Sequence, residues 1–351
     1  MSIGHPTTTV RRLFGKALLV VASVMLTLGV AEMVLRLAES IRYEPAQTAR
    51  MVDPELKGLP SVRGMYALMN PNTRGVYKGV MHRTNSDGFR GPEYAKKTPS
   101  NTYRTVLIGD SFTMGSGVPE DDTYARRLER RLEQEDGVRL HEVLNLGIGG
   151  FNLRASLNRL TGIGLTYDPN LIVYGWTIND IEGPEYQRTW KPGGDQSSPT
   201  FLLAHFLRER WRGLRDVYFP AEDSYIHELD VNYFENSKAW SSFLDDLDEL
   251  ARIGSSRDVC TVVFLHTMLE ALHQKHPFER HYDAVAEAAR QRGLFVVESF
   301  PQHRGRSPRP LWRGPHDRHP NREGHAILAE VLFDGIQSLP LRCLAARTQG
   351  P

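Results

Sequence analysis

Asp110 and Ser111 stand where an apolar run of the sequence stops. The stretch TVLIGDSFTMGSGV (105–118) begins with four β-branched or aliphatic residues, a pattern typical of a buried strand, and continues with a carboxylate, hydroxyls and glycines. A serine hydroxyl becomes a good nucleophile when a neighbouring base removes its proton. An isolated serine after a strand is most often a turn residue or a helix cap. The role of Ser111 therefore depends on what else the chain brings to this point.

Polar and glycine-rich residues recur at three later points in the chain. The stretches are NLGIGGFN (145–152), WTINDI (176–181) and DRHPNREGH (317–325). Among them they supply glycines, a side-chain amide, a carboxylate and a histidine. These are the residue types that activate a serine and stabilise the oxyanion formed when it attacks an ester.

Alternating strands and amphipathic helices would position these stretches. The predicted strands are 104–109, 141–147, 170–176, 260–266 and 294–300. The predicted helices are 121–136, with Asp121 or Asp122 as its cap, 152–165, 236–254, 280–292 and 322–336. Apolar strands separated by helices favour a parallel sheet covered on both faces, which binds its ligand beyond the carboxyl ends of the strands.

The four stretches, in this order over residues 103–339, resemble the SGNH (GDSL) hydrolase family. The resemblance implies a flavodoxin-like α/β/α sandwich with a mostly parallel five-stranded sheet. It also implies a serine ester hydrolase or O-acyltransferase that uses no cofactor and no metal ion. The histidines of HTMLEALHQKH (266–276) do not form the His-Glu-x-x-His zinc motif, and we interpret that run as a helix with scattered polar residues.

Carried over to this chain, the family pattern assigns Ser111 as the nucleophile and His319 as the base. Asp317, two residues before the histidine, would orient the imidazole and stabilise its charged form. Many family members space this aspartate three residues before the histidine, a position held here by His316. We favour Asp317. Asn321 is expected to cap the helix that follows, and His325 to be structural.

The resemblance also implies an oxyanion hole formed by the backbone N–H of Ser111, the N–H of Gly150 and the amide of Asn179. Gly147 and Gly149 are alternatives in register for the glycine. The family usually has glycine two residues before the asparagine, where this chain has Thr177. That departure and the spacing of Asp317 support an alternative, a catalytically silent member that binds a glycan or scaffolds an envelope assembly.

The N-terminus predicts export. Arg11, Arg12 and Lys16 precede the uncharged run 17–31, and further apolar residues follow, interrupted by Glu32 and Arg36. We predict an uncleaved signal anchor with the catalytic domain outside the cytoplasm, and a cleaved signal peptide as the alternative. A soluble cytoplasmic hydrolase is a further alternative. The expected substrate is an acylated carbohydrate, with lipid esters as the second choice.

Composition excludes little else. The 351 residues carry a formal net charge of +1, and neither a basic field nor an aromatic-basic signature indicates nucleic-acid binding. Cys260 lies in an apolar strand-like run and Cys343 near the C-terminus, without metal-type spacing. One disulfide is possible, but we predict two free thiols.

The chain is predicted to divide into four parts. They are an anchor (1–40), a stalk or extended wrap (41–102), the hydrolase-like domain (103–340) and a C-terminal tail (341–351). The hydrolase-like domain contains an insertion at 183–235 whose length is typical of a lid or binding loop, with a solubilising surface segment as the alternative.

Overall fold

The computed structural model describes residues 8–42, 71–72, 74–182, 203–204, 207, 211, 225–235, 237–273, 275–314 and 317–345. The chain forms two compact units. One comprises Met1–Pro45 with Gly193–Ser224, and the other Ala46–Pro192 with Tyr225–Pro351.

The first unit contains a long helix, α1 (Thr8–Arg42). Its segment Gly15–Leu37 has 23 residues and a mean hydropathy of 2.3, so by length and composition it is able to cross a membrane. Glu32 and Arg36, which interrupt the apolar run, form an ion pair of 2.8 Å one turn apart. Because these charges compensate each other, the apolar segment extends beyond the uncharged run found in the sequence.

The second unit contains the strands and the remaining helices. Its strands are β1 (Arg74–Tyr77), β2 (Val80–Arg83), β3 (Thr102–Gly109), β4 (Leu140–Asn145), β5 (Leu171–Trp176), β6 (Cys260–Leu265), β7 (Phe295–Glu298), β8 (Trp312–Gly314) and β9 (Asp317–Pro320). Its helices are α2 (Ser111–Met114), α3 (Tyr124–Asp136), α4 (Leu153–Gly162), α5 (Tyr225–Asp230), α6 (Ser237–Ser256), α7 (Glu279–Gln291), α8 (Phe300–His303), α9 (Arg322–Gln337) and α10 (Leu341–Leu344).

Within the described residues, five strands form a parallel sheet in the order β4-β3-β5-β6-β7. Every residue of β3, β5 and β6 is buried, as expected for strands covered on both faces. One face packs in a core with α4, α6 and α7, and the other with α3 and α9. The predicted flavodoxin-like α/β/α sandwich is confirmed.

Two predicted helices differ from the structure. Helix α3 begins at Tyr124 and is capped by Thr123, because residues Glu120–Asp122 form a 3-10 turn and neither Asp121 nor Asp122 is the cap. The run 266–276 was predicted to be helical, but its described residues form a loop. Leu269 and Leu272 pack with Leu311 across this loop, so their helical spacing reflects contacts made by irregular backbone.

Cys260 and Cys343 form a disulfide, so the prediction of free thiols was wrong. Cys260 begins β6, and Cys343 lies in α10, which follows the sheet-packing helix α9. The two residues are 83 positions apart, and only the folded chain brings their Cα atoms to 5.5 Å. The start of the predicted C-terminal tail is therefore attached to the sheet.

Most of the predicted insertion lies outside the described residues, although its end forms α5 and the π-helical segment Val231–Glu235. Much of the predicted stalk also lies outside them. Its described end, from residue 74 onward, forms a hairpin from β1 and β2 and continues into buried chain at Phe89 and Arg90. The predicted division into four parts stays a prediction.

Candidate active site

Ser111 is the first residue of α2, at the carboxyl end of β3, the second strand in the order of the sheet. Gly109 ends the strand with a φ of 148°, a conformation that L side chains rarely adopt. Asp110 then caps the helix, since its Oδ1 accepts a hydrogen bond of 2.8 Å from the N–H of Phe112. The backbone N–H of Ser111 lies in the first turn of the helix, where no earlier carbonyl is placed to accept it.

The side chain of Thr113, two residues after Ser111, is surrounded by glycines at the ends of neighbouring strands. A Cβ at Gly109 would lie 2.4 Å from Thr113 Oγ1, and one at Gly175 would lie 2.3 Å from the same atom. A Cβ at Gly147 would lie 2.7 Å from Thr113 Cβ. The glycines therefore allow the backbones of three elements to approach one side chain directly beneath Ser111.

His319 and Asp317 lie on β9, which forms an antiparallel hairpin with β8. Asn321 ties this hairpin to α9 by accepting from the N–H groups of Glu323 and Gly324 and donating to the carbonyl of Trp312. It caps α9 as the sequence predicted. The strand that carries His319 is thus held by its pairing with β8 and by Asn321 at its end.

The structure brings Ser111, His319 and Asp317 into one chain of hydrogen bonds. Ser111 Oγ lies 2.9 Å from His319 Nε2, and His319 Nδ1 lies 2.5 Å from Asp317 Oδ1. Burial alone would raise the pKa of Asp317, but the hydrogen bond with His319 and the charge of Lys78 hold this pKa well below its usual value. Asp317 is therefore ionised beside the histidine. His316 lies outside the described residues.

The residues predicted for the oxyanion hole follow the strands on either side of β3. Gly150 lies in the exposed turn after β4 with a φ of 79°, which suits glycine. Asn179 is half-buried in the 3-10 turn Ile178–Ile181 after β5. Gly147 and Gly149, the alternatives in register, are buried.

Thr177, the departure from the family pattern, is fully buried and bonded. Its hydroxyl donates a hydrogen bond of 2.9 Å to Asp180 Oδ1, and the hydroxyl of Tyr174 donates to Asp180 Oδ2. Burial raises the pKa of Asp180 well above its usual value. The threonine thus supports the turn that carries Asn179 through a polar contact that glycine lacks.

Arg90 and Asn145 hold the turn after Ser111 and were not singled out in the sequence. Arg90 is 4% exposed, and its guanidinium donates to the carbonyls of Met114, Gly115 and Val118 at 2.6–2.9 Å. Asn145 donates to the carbonyl of Thr113 at 2.8 Å. In the sequence Arg90 follows the turn signal Asp87-Gly88. This signal predicts a turn but not the distant carbonyls to which the arginine donates.

Buried histidines lie behind the site. His266 and His325 are at most 1% exposed, and burial lowers the pKa of each to about 3, so both are neutral at pH 7. His325 Nδ1 accepts from the N–H of Tyr124, which is the structural role predicted for it. Within the described residues, no group of three or more His, Cys, Asp or Glu side chains is arranged to hold a metal ion.

A family model described as the GDSL-like Lipase/Acylhydrolase family matches residues 107–327, more than half of the chain. The chain belongs to this family. The matched range contains Ser111, Gly150, Asn179, Asp317 and His319. A comparison with curated proteins found no match.

The chain is also similar to solved structures, several of them esterases. They include a two-domain esterase (CEX) active on acetylated mannans, at 15% identity and a TM-score of 0.43, covering 71% of this chain and 52% of that one. They also include Axe2, an acetylxylan esterase from Geobacillus stearothermophilus, at 15% identity and a TM-score of 0.43, covering 66% of this chain and 93% of that one. For TesA the identity is 14% and the TM-score 0.40, covering 67% and 98%. The chain thus spans about half of the length of CEX.

Proposed function

We propose that this protein is an exported, membrane-anchored serine esterase that acts through an acyl-serine intermediate. The observation that carries the proposal is the hydrogen-bonded order Ser111 Oγ, His319 Nε2, His319 Nδ1, Asp317 Oδ1. In this order a base contacts the nucleophile, and an ionised carboxylate holds the other side of the base.

In the proposed reaction His319 Nε2 takes the proton of Ser111 as Oγ attacks the ester carbonyl. The carbonyl oxygen becomes an oxyanion, which the N–H groups of Ser111 and Gly150 and the amide of Asn179 stabilise. The tetrahedral intermediate collapses, and His319 gives its proton to the departing alcohol. Water, or a hydroxyl of an acceptor, then attacks acyl-Ser111 by the same steps in reverse and releases the acid or a new ester.

The location outside the cytoplasm rests on two independent features. The segment Gly15–Leu37 is able to cross a membrane, and the basic residues before it keep the N-terminus inside. The disulfide between Cys260 and Cys343 is typical of an oxidising compartment. The 23-residue length of this segment favours an anchor over a cleaved signal peptide.

The substrate we propose is an O-acylated glycan, the class on which anchored members of the family often act. A lipid ester is the second candidate, because an anchor would hold the catalytic unit close to a bilayer. The silent alternative loses its main support, since Thr177 makes a structural hydrogen bond and Asp317 contacts His319 at the two-residue spacing.

The first experiment is the intact mass of the full chain in detergent after exposure to a fluorophosphonate. A single adduct on the wild type and on Ser100→Ala, which changes an exposed serine, and none on Ser111→Ala would support an activated Ser111. Rates on acetylated xylan and on a long-chain p-nitrophenyl ester would then separate glycan from lipid substrates. A folded wild type without an adduct would contradict the esterase proposal.

Export is tested by fusing after residue 45 a reporter that is active only outside the cytoplasm. We expect activity, and we expect the intact mass of the membrane-bound protein to include α1. A reporter that stays inactive would instead support the cytoplasmic alternative.

A further inference from the structure

The two carboxylate oxygens of Asp317 have different partners. Oδ1 accepts from His319, at 2.5 Å from Nδ1 and 3.1 Å from the backbone N. Oδ2 faces the other way, 2.7 Å from Arg313 Nε and 3.7 Å from Lys78 Nζ. The carboxylate therefore has one side toward the histidine and the other toward basic side chains.

These basic residues come from elements outside the parallel sheet. Arg313 lies on β8, and Lys78 lies in the two-residue turn between β1 and β2, where its φ is 48°. Arg313 Nη1 donates a hydrogen bond of 2.8 Å to the carbonyl of Lys78. The stem of Arg313 also covers Gly117, where a Cβ would lie 2.4 Å from Arg313 Cδ. One arginine thus connects the hairpin, the turn after Ser111 and Asp317.

We propose that Lys78 and Arg313 are positioning residues that hold Asp317 by Oδ2, so that Oδ1 stays directed at His319 and the β1–β2 hairpin is part of the active site. The inference rests on the proposed serine esterase function. Arg313 Nε donates a charge-assisted hydrogen bond of 2.7 Å to Oδ2. Lys78 Nζ, 3.7 Å from the same oxygen, acts mainly through its charge.

The charges around the site determine the sign of the effect. Asp317 faces His319, Arg313, Lys78 and Tyr77, and His319 in turn lies near Ser111, Asp110 and His325. Burial lowers the pKa of Lys78, although the negative charge of Asp317 opposes this. A cation at position 78 disfavours a second positive charge on His319. Removing it makes the imidazole easier to protonate, and a protonated imidazole is unable to take the proton of Ser111.

The test is the rate of fluorophosphonate labelling of Ser111 in the full chain as a function of pH. For Lys78→Met we expect the pH of half-maximal rate to rise by about half a unit, the size expected for one charge several ångströms away in a partly solvated site. Lys78→Arg keeps the charge and should retain the wild-type value. Lys97→Met is the matched control, because it removes a charge from an exposed lysine in the same part of the chain.

Arg313 is tested by the plateau rate at high pH. Arg313→Met should reduce this rate by about tenfold or more, because an Asp317 without this hydrogen bond orients His319 poorly. Arg313→Lys should restore part of the rate. If Arg313→Met fails to fold, the Lys78 series decides alone.

A half-maximal pH for Lys78→Met that equals those of the wild type and Lys97→Met would overturn this inference. An Arg313→Met plateau within twofold of the wild type would do the same. Neither result bears on the proposed serine esterase activity, which is contradicted when the folded wild type is not labelled at any pH.

Discussion

At the scale of single residues, the hydroxyl of Ser111 has two possible hydrogen-bond acceptors. Oγ lies 2.9 Å from His319 Nε2 and 3.1 Å from Asp110 Oδ2. Burial raises the pKa of Asp110, so its carboxyl keeps a proton more readily than an exposed one. The hydroxyl of Ser111 donates to Asp110 Oδ2, whereas nucleophilic attack requires that it donate to His319 Nε2.

Asn179 allows a test of the proposed oxyanion hole. We expect Asn179→Ala to lower kcat on p-nitrophenyl acetate by about 100- to 1,000-fold, the usual cost of losing one oxyanion donor, with a smaller change in KM. Asn158→Ala, at an exposed position on α4, should match the wild type. A fall in kcat of less than about threefold for Asn179→Ala would remove this residue from the hole.

The sequence predicts the residues of the hydrogen-bonded chain better than it predicts their supports. Ser111, Asp317 and His319 belong to short stretches near the ends of predicted elements, and parallel strands bring such ends to one edge. Arg90 and Lys78 contact the site over long separations and carry no motif. Their roles depend on where the hairpin lies, which no local pattern encodes.

At the scale of elements, Arg90 makes the hairpin region a support for the turn after Ser111. Arg90→Met would leave the carbonyls of Met114, Gly115 and Val118 without this donor in a buried place. We expect the free energy of unfolding to fall by about 2–4 kcal/mol, as for other lost hydrogen bonds to a buried charged group, and esterase activity to fall with it.

The matched control for Arg90 is Arg83→Met on β2. Arg83 is exposed and pairs with Glu120 at 3.0 Å, so its loss should cost less than about 1 kcal/mol. Denaturant unfolding of both variants measures the difference. Equal losses for the two variants would show that the carbonyl contacts of Arg90 add nothing.

At the scale of the whole molecule, the buried histidines make stability depend on pH. The folded-state pKa of His266 is about 3, below its value of about 6.5 in the unfolded chain, so unfolding takes up a proton between these values. Stability is therefore lost as the pH falls from about 6.5 toward 3. For His266→Leu we expect the loss between pH 7 and pH 5 to be smaller by about 1–2 kcal/mol.

Denaturant unfolding at the two pH values measures this effect of His266. His273→Gln, at an exposed histidine in the same loop, should leave the wild-type loss unchanged. An equal loss in the wild type and His266→Leu would show that His266 does not cause the acid sensitivity.

The disulfide closes a long loop, and its contribution also belongs to the whole molecule. Because Cys260 and Cys343 are 83 positions apart, we expect reduction to lower the free energy of unfolding by about 2–5 kcal/mol. Thermal unfolding with and without reductant measures this. The Cys260→Ala/Cys343→Ala double variant should have a lower Tm than the oxidised wild type. Adding reductant should leave the Tm of this variant unchanged. An equal Tm for the wild type with and without reductant would contradict the expectation.

The glycines around Thr113 constrain the order in which this site is able to change. Alanine at Gly175 would bring a methyl group to 2.3 Å from Thr113 Oγ1 and 2.6 Å from His266 Cε1, so it is costly while the threonine is present. Alanine at Thr113 removes part of that obstruction, and we expect the Thr113→Ala/Gly175→Ala pair to be less harmful than the sum of its single changes in a double-mutant cycle. A larger residue at 175 should therefore cost less when position 113 is already small, while the contact with His266 remains. Independent effects of the two changes would contradict this expectation.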